Sequence, residues 1–351
     1  MKNSPTMRLS ILLLFSIISF MCHSQSLSTD KTSDHSVHIV KKTDQKKVEV
    51  YFDADLFTAY IYPDHVMKPV LWPVYTTHGT AITRQFPLAK AAGERTDHPH
   101  HVGIWLNYGD VNGIDYWNNS EAVPAKKKNQ YGEIRHQEII SATTEGNQGK
   151  LVVKSEWIDT GGTVLDEITH YTFINEGVTR IIDRETTLKA RKEVLFKDNK
   201  EGMLGIRVAP ELEIPSDDKI TMTDEQGFPS SQRRVNDRAS GDYLSSEGVR
   251  GHNVWGTRAR WMDLSGHFEE EKVHVVILDH PDNPGYPTYW HARGYGLYAA
   301  NPLGQKAMSG GKEELNFSLS KNEEVTFRYR IIISGDPSAD KNLWDQMADD
   351  F

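Results

Sequence analysis

The segment R-T-D-H-P-H-H-V-G-I-W at residues 95–105 places Arg95, Asp97, His98, His100 and His101 within seven consecutive positions. An imidazole with an unperturbed pKa near ~6.5 is the natural proton carrier at neutral pH, and it also ligates metals. Pro99 stops a helix from running through the segment, so a loop entering a strand over 102–106 is predicted, its side chains splayed rather than stacked on one face. Asp97 and the three histidines offer oxygen and nitrogen ligands, but no helical His-x-x-x-His spacing organises them, and neither a metal nor another cofactor is needed to explain them. Any one of these histidines alone could simply bond a carbonyl in a tight loop. Read together, His100 and His101 are catalytic candidates, with Arg95, His98 and Trp105 as substrate-binding residues.

A second cluster, Y-P-T-Y-W-H-A-R-G-Y-G at 286–296, interleaves aromatic rings with donors. Sugars present an apolar C–H face and a polar hydroxyl edge, which suits such a surface. Tyr289 and His291 are the catalytic candidates here, and Trp290 and Arg293 the substrate-binding ones. Between 197 and 211, Arg207 stands out because Ile206 and Val208 would face the opposite side of a strand. It could clamp a carboxylate bidentately or pair with a structural acid. Lys197 is the accompanying binding candidate. The stretch 233–260 then carries six arginines in an otherwise acidic chain, of which Arg258 and Arg260, framed by Trp255 and Trp261, are the strongest binding candidates.

The elements that must hold these groups are strands. Alternating or β-branched runs recur between turn clusters such as 145–147, 160–162 and 175–177, and Leu151, Val153, Ser155 and Trp157 would share one face. Helical spacing is convincing only over 340–347, where Leu343, Trp344 and Met347 fall together. The expected fold class is all-β, a large antiparallel β-sandwich of the mutarotase/lyase-like supersandwich kind with a short C-terminal helix. Residues 1–24 read as a signal peptide, with Lys2 and Arg8 ahead of an apolar run too short to span a bilayer. Residues 25–45 read as a disordered leader, 46–351 as a single β-sandwich domain, and the stretch 216–252 as a loop excursion. A periplasmic or secreted location follows from the signal.

Composition narrows the partners. The lone cysteine, Cys22, lies in the signal, so disulfides, a thiolate nucleophile and a cysteine-bound zinc are not expected. A net charge of −9 argues against nucleic acid, and no second apolar stretch is long enough for membrane insertion. An anionic substrate must then meet a local basic pocket.

Four motifs, D-H-P-H-H-x-G-I-W, E-G-x-x-G-I-R-V, W-G-T-R-A-R-W and W-H-A-R-G-Y-G-L-Y-A-A-N-P-L-G, resemble the secreted bacterial family labelled PmoA-like, or "methane oxygenase", from about residue 50 to 335. A methane monooxygenase subunit would need membrane helices that this chain lacks, so the label itself is set aside. The resemblance implies a β-sandwich fold and a setting in carbohydrate degradation.

The chemistry concentrated in these clusters fits β-elimination on a uronic-acid oligosaccharide, as a lyase or dehydratase. That reaction needs a cation on the carboxylate, a base for the adjacent proton and an acid for the leaving oxygen. Arg207 or Arg260 would hold the carboxylate, His101 or His100 would be the base, and Tyr289 or His291 the acid. The alternatives are an epimerase or mutarotase, a glycoside hydrolase using two of Asp97, Asp115, Glu201 and Glu211, and a noncatalytic carbohydrate-binding protein.

Overall fold

The computed structural model describes Met1 and residues 35–351; apart from Met1, the signal expected over 1–24, like the leader over 25–34, lies outside the described residues. Strands dominate because β-branched and aromatic residues alternate with polar ones and turns close the hairpins. Among the described residues most of them form two eight-stranded antiparallel sheets, beside two small two-stranded ones. The first runs, in spatial order, Val37–Lys42, Lys47–Phe52, Asp55–Ile61, Val70–Val74, Ile104–Leu106, Leu204–Arg207, Leu297–Asn301 and Tyr289–Ala292. The second runs Asp242–Ser245, Trp261–Phe268, Glu271–Asp279, Glu324–Ser334, Thr179–Ala190, Gly162–Glu176, Gln148–Asp159 and Glu133–Glu145.

The sheets share one apolar core. Val48, Val50 and Phe57 from the first sheet pack with Leu151, Val153 and Phe173 from the second. The Tyr298 hydroxyl crosses between sheets, donating to the Met262 carbonyl and accepting from the Ile277 amide at 3.2 Å. Leu151, Val153, Ser155 and Trp157 do share the buried face, as their spacing predicts. The all-β sandwich is therefore the fold of this chain.

Each sheet also has an outer face with its own cluster. On the second sheet, Trp261, Val276, Leu278 and Ile332 are covered by the C-terminal helix Lys341–Asp349 through Trp344. Asp340 caps that helix, its carboxylate accepting from the Asn342 and Leu343 amides. On the first sheet, Trp105, Trp117, Leu297 and Ala299 form a smaller cluster, covered by loops rather than a helix. The histidine segment lies over this second outer face.

Two expectations need correcting. The leader drawn to residue 45 overlaps the edge strand Val37–Lys42, which pairs with Lys47–Phe52 and buries Val37 to 2% exposure. Its polar sequence hides it because an edge strand needs only one apolar side. The excursion over 216–252 is also not a bare loop: Ile220–Thr223 and Pro229–Arg234 form a hairpin, and Asp242–Ser245 joins the second sheet. Among the described residues no helix is long and apolar enough to cross a membrane.

Candidate functional site

Period-two alternation builds the floor. Across four neighbouring strands, Trp105 pairs with Gly205, Gly205 with Ala299, and Ala299 with His291. Their neighbours Ile104, Leu106, Leu204, Ile206, Tyr298, Ala300 and Trp290 turn into the inter-sheet core, so this rung faces the other way. The small residues in its middle give Trp105 room. A Cβ at Gly205 would fall 2.5 Å from Cζ2 of Trp105, so the indole lies flat across the glycine.

Above this floor the histidine loop is shaped from below by Arg84. Its guanidinium donates to the carbonyls of Arg95, Asp97, His98 and His101 at 3.2, 2.8, 2.8 and 2.9 Å. His98 takes a left-handed conformation, φ 44°, and the His101 amide closes the turn onto its carbonyl at 2.9 Å. Gly103, φ 57°, then brings the chain back against the sheet, where a Cβ would meet the Leu71 carbonyl oxygen at 2.3 Å. Arg207, fully buried, bonds the Asp97 carboxylate at 2.6 Å. Burial alone would raise the Asp97 pKa, but His98, Arg207 and Arg84 hold it well below the usual carboxylate range. Arg207 is therefore spent on Asp97.

The rings form a column. Tyr295 stacks on His98 at 5.1 Å between centroids, His98 on His101 at 4.9 Å, and His101 on Trp105 at 5.4 Å. Inside it, Nε2 of His101 accepts the Trp117 indole N–H at 3.1 Å. An indole nitrogen only donates, so this shorter bond places the His101 proton on Nδ1, which faces the Arg207 guanidinium at 3.5 Å. Burial, then His100 and Arg207, push the His101 pKa far down. His101 is thus a buried neutral ring whose lone pair is occupied. His100 stands beside it at 4.3 Å, pushed down to about 2 by burial and by Lys68.

His291 differs. Its Nδ1 lies 2.9 Å from the Lys200 carbonyl, which only accepts, so the proton is fixed there and the Nε2 lone pair is left open. Among the described residues Nε2 has no hydrogen-bond partner. Burial lowers the His291 pKa to about 3, with Lys200, Arg293 and His98 adding to the effect. Glu201 sits alongside, 3.7 Å from Nδ1. Among the described residues no group of three His, Cys, Asp or Glu side chains is placed to hold a metal ion.

A cleft of about 460 Å³ opens beside the Tyr295 end of the column, lined by Arg95, Ser216, His252, Trp255, Arg293 and Tyr295 among others. Arg95 is held in its wall by the buried Glu213 at 2.7 Å. The exposed Arg293 reaches over the rings of Tyr295 and Trp255 at 5.7 and 5.8 Å, with no carboxylate within ion-pair distance among the described residues.

His98, His100, His101, Arg207, Trp105, His291, Arg95 and Arg293 thus gather on one outer face. The other candidates do not join them. Arg260 lies on the far face of the molecule, bonded to Asp345 at 2.8 Å and to Asp349 of the C-terminal helix. Trp290 is in the inter-sheet core, its N–H on the Ala259 carbonyl at 3.0 Å. Arg258 is used up by Glu313 and by the carbonyls of Gly285 and Pro287, and it covers Tyr289, which is 5% exposed. Lys197 is exposed, and among the described residues it has no contact with the histidine column. Trp105, beneath His101 and 0% exposed, is floor rather than contact surface. The tryptophans that frame Arg258 and Arg260 misled because they part company: Trp261 bonds the same Asp345 as Arg260, on the far face, and only Trp255 reaches the cleft.

Three residues carry the site unannounced by motif: Arg84, Trp117 and Lys68. Lys68 is 3% exposed, donates to the His100 carbonyl at 2.6 Å and lies over Trp105 at 5.1 Å. A single charge inside the apolar run Val66-Met67-Lys68-Pro69-Val70 was a readable signal; Arg84 and Trp117 had none.

Fold and geometry together define an antiparallel β-sandwich with a histidine- and arginine-built candidate site on one outer face. The chain belongs to the family described as "Family of unknown function (DUF6807)", whose model matches residues 47–347. That match corrects the resemblance to the PmoA-like family. No curated protein matches the sequence. Among solved structures, the galactosidase domain of the alpha-galactosidase-sucrose kinase AgaSK is similar at 6% identity with a TM-score of 0.41, over 85% of this chain and 41% of that one. The GH36 alpha-galactosidase AgaB from Geobacillus stearothermophilus is similar at 9% identity and a TM-score of 0.39, again over 85% of this chain and 41% of that one. The chain spans less than half the length of either.

Proposed function

We propose that this protein is a carbohydrate-active enzyme that moves a proton on a carboxylate-bearing sugar, by β-elimination. The observation that carries the reading is His291, whose tautomer is fixed by a backbone carbonyl and whose Nε2 is left without a partner; it is buried outside the cleft's lining, within electrostatic reach of His98 and of Arg293, which does line it. Arg293, with Arg95 behind it, binds the uronate carboxylate in the cleft, while Trp255 and Tyr295 face the sugar ring. Nε2 of His291 removes the proton on the carbon next to that carboxylate. The electron pair moves into a new carbon–carbon double bond as the neighbouring carbon–oxygen bond breaks, and the departing oxygen takes a proton from the Tyr295 hydroxyl. Burial raises the Tyr295 pKa, which keeps that proton in place at neutral pH.

These roles depart from those read off the sequence. The base moves from His101 or His100 to His291, the acid from Tyr289 or His291 to Tyr295, and the carboxylate clamp from Arg207 or Arg260 to Arg293. A low His291 pKa keeps the ring neutral in the empty site, and the arriving carboxylate raises its basicity.

The test is incubation with a panel of uronate oligosaccharides, followed by ultraviolet absorbance of the unsaturated uronate. Absorbance that grows with time and is lost in His291→Gln supports elimination. Oligosaccharide binding without absorbance or any other product would make the protein a binding module.

A further inference from the structure

A second cavity, sharing no lining residue with the cleft, is bounded by His100, Lys68 and the apolar side chains of Val66, Leu88, Pro99 and Val102, with Asn119 and Ser120 among its polar lining. Its volume is about 240 Å³. This is below the ~300–1,000 Å³ of ordinary small-molecule sites, so one ring with a short substituent would fill it.

Lys68 gives the cavity its character. A protonated lysine offers three donors, and the His100 carbonyl takes one. Among the described residues no carboxylate lies within ion-pair distance of Nζ; Asp115 acts on it only from further away, and Glu121, the one acid lining the cavity, is exposed. An ammonium buried in apolar surroundings without a counter-charge is costly, and here burial pushes its pKa down to about 7. The lysine therefore has both unused donors and an electrostatic reason to take up an anion.

We propose that this cavity is a second ligand site, which takes a small carboxylate with an apolar body and holds it by the ammonium of Lys68. The apolar walls favour a hydrophobic body, and one ammonium matches one negative charge; a phosphate or sulfate dianion would need more donors than are present. The site is separate from the sugar cleft and stands or falls independently of the elimination reading.

Benzoate and its neutral analogue benzyl alcohol are the probes, measured by calorimetry on the full protein. Benzoate binds at least about tenfold more tightly than benzyl alcohol. Lys68→Met brings the two within about twofold of each other, and Leu88→Trp, which fills the cavity, removes both. Arg293→Ala leaves benzoate affinity unchanged. Equal affinities for the two probes in the unaltered protein overturn the proposal, as does loss of benzoate binding in Arg293→Ala with retention in Leu88→Trp. A crystal grown with 4-bromobenzoate provides a readout free of variants: anomalous signal beside Lys68 supports the site, and signal only elsewhere overturns it.

Discussion

The Trp117 indole donates to Nε2 of His101 at 3.1 Å, and this bond sets His101 apart from His291, the base of the proposed reaction. His101 has the neighbours expected of a catalytic base, yet its one lone pair is already taken. His291, less conspicuous in sequence, has its proton pinned by a carbonyl and its lone pair free.

Replacing the two histidines should therefore give opposite phenotypes. His291→Gln lowers kcat by about 100-fold or more, the usual contribution of a positioned general base, with oligosaccharide affinity and melting temperature kept. His101→Gln acts mainly on stability. Unchanged turnover in His291→Gln would remove the base from this position.

Arg84 and Arg260 make a second pair for comparison. Arg84→Met leaves four loop carbonyls without their shared donor and is expected to cost about 3–5 kcal/mol in denaturant unfolding, the range for a buried charged partner. Arg260→Ala breaks a partly exposed pair with the C-terminal helix, costs about 1 kcal/mol or less and leaves turnover intact. Loss of turnover in Arg260→Ala without loss of the helix would contradict its placement on the far face.

Stability should fall in acid with a slope set by buried histidines. Burial holds His100 at about 2 and His291 at about 3, and lowers His101 as well, against ~6.5 in the unfolded chain. The unfolded state thus binds protons that the folded state refuses. The stability they contribute is fully present above ~6.5 and declines as pH drops towards their folded values, at up to ~1.4 kcal/mol per pH unit for each. Lys68 acts at the other end: lowered to about 7 from 10.5, it makes stability rise with pH between those two values. Urea midpoints measured across this range check both limbs, and an acid limb as steep in the His100→Gln, His291→Gln double variant as in the unaltered protein would disprove the assignment.

Gly205→Ala tests the floor. The added methyl would meet Trp105 at 2.5 Å, so the indole must shift and His101 and His98 above it with it. A loss of about 1–3 kcal/mol and reduced turnover are expected, as for overpacking in a core. Wild-type stability in this variant would mean that Trp105 does not lie over Gly205.

The architecture was readable because strand periodicity is a local signal: Leu151 to Trp157 disclosed a buried face, and Leu343, Trp344 and Met347 a helix. Much of the site was readable too, since the histidine, Arg207 and His291 segments do meet on one face. Roles were not. Whether an arginine is free or consumed depends on partners far away in sequence, Asp97 for Arg207 and Asp345 for Arg260, and no spacing rule encodes those. Lys68 and Arg84 escaped notice for a related reason: each acts through a backbone carbonyl, which every residue possesses.

Because Arg84 grips main-chain oxygens, its hold on the loop does not depend on the side chains at positions 98 and 100. The side chains at positions 98 and 100 are fittings on that mount. Substitutions there can alter the chemistry offered to a ligand while the mount persists, whereas a change at residue 84 removes the mount for all of them at once.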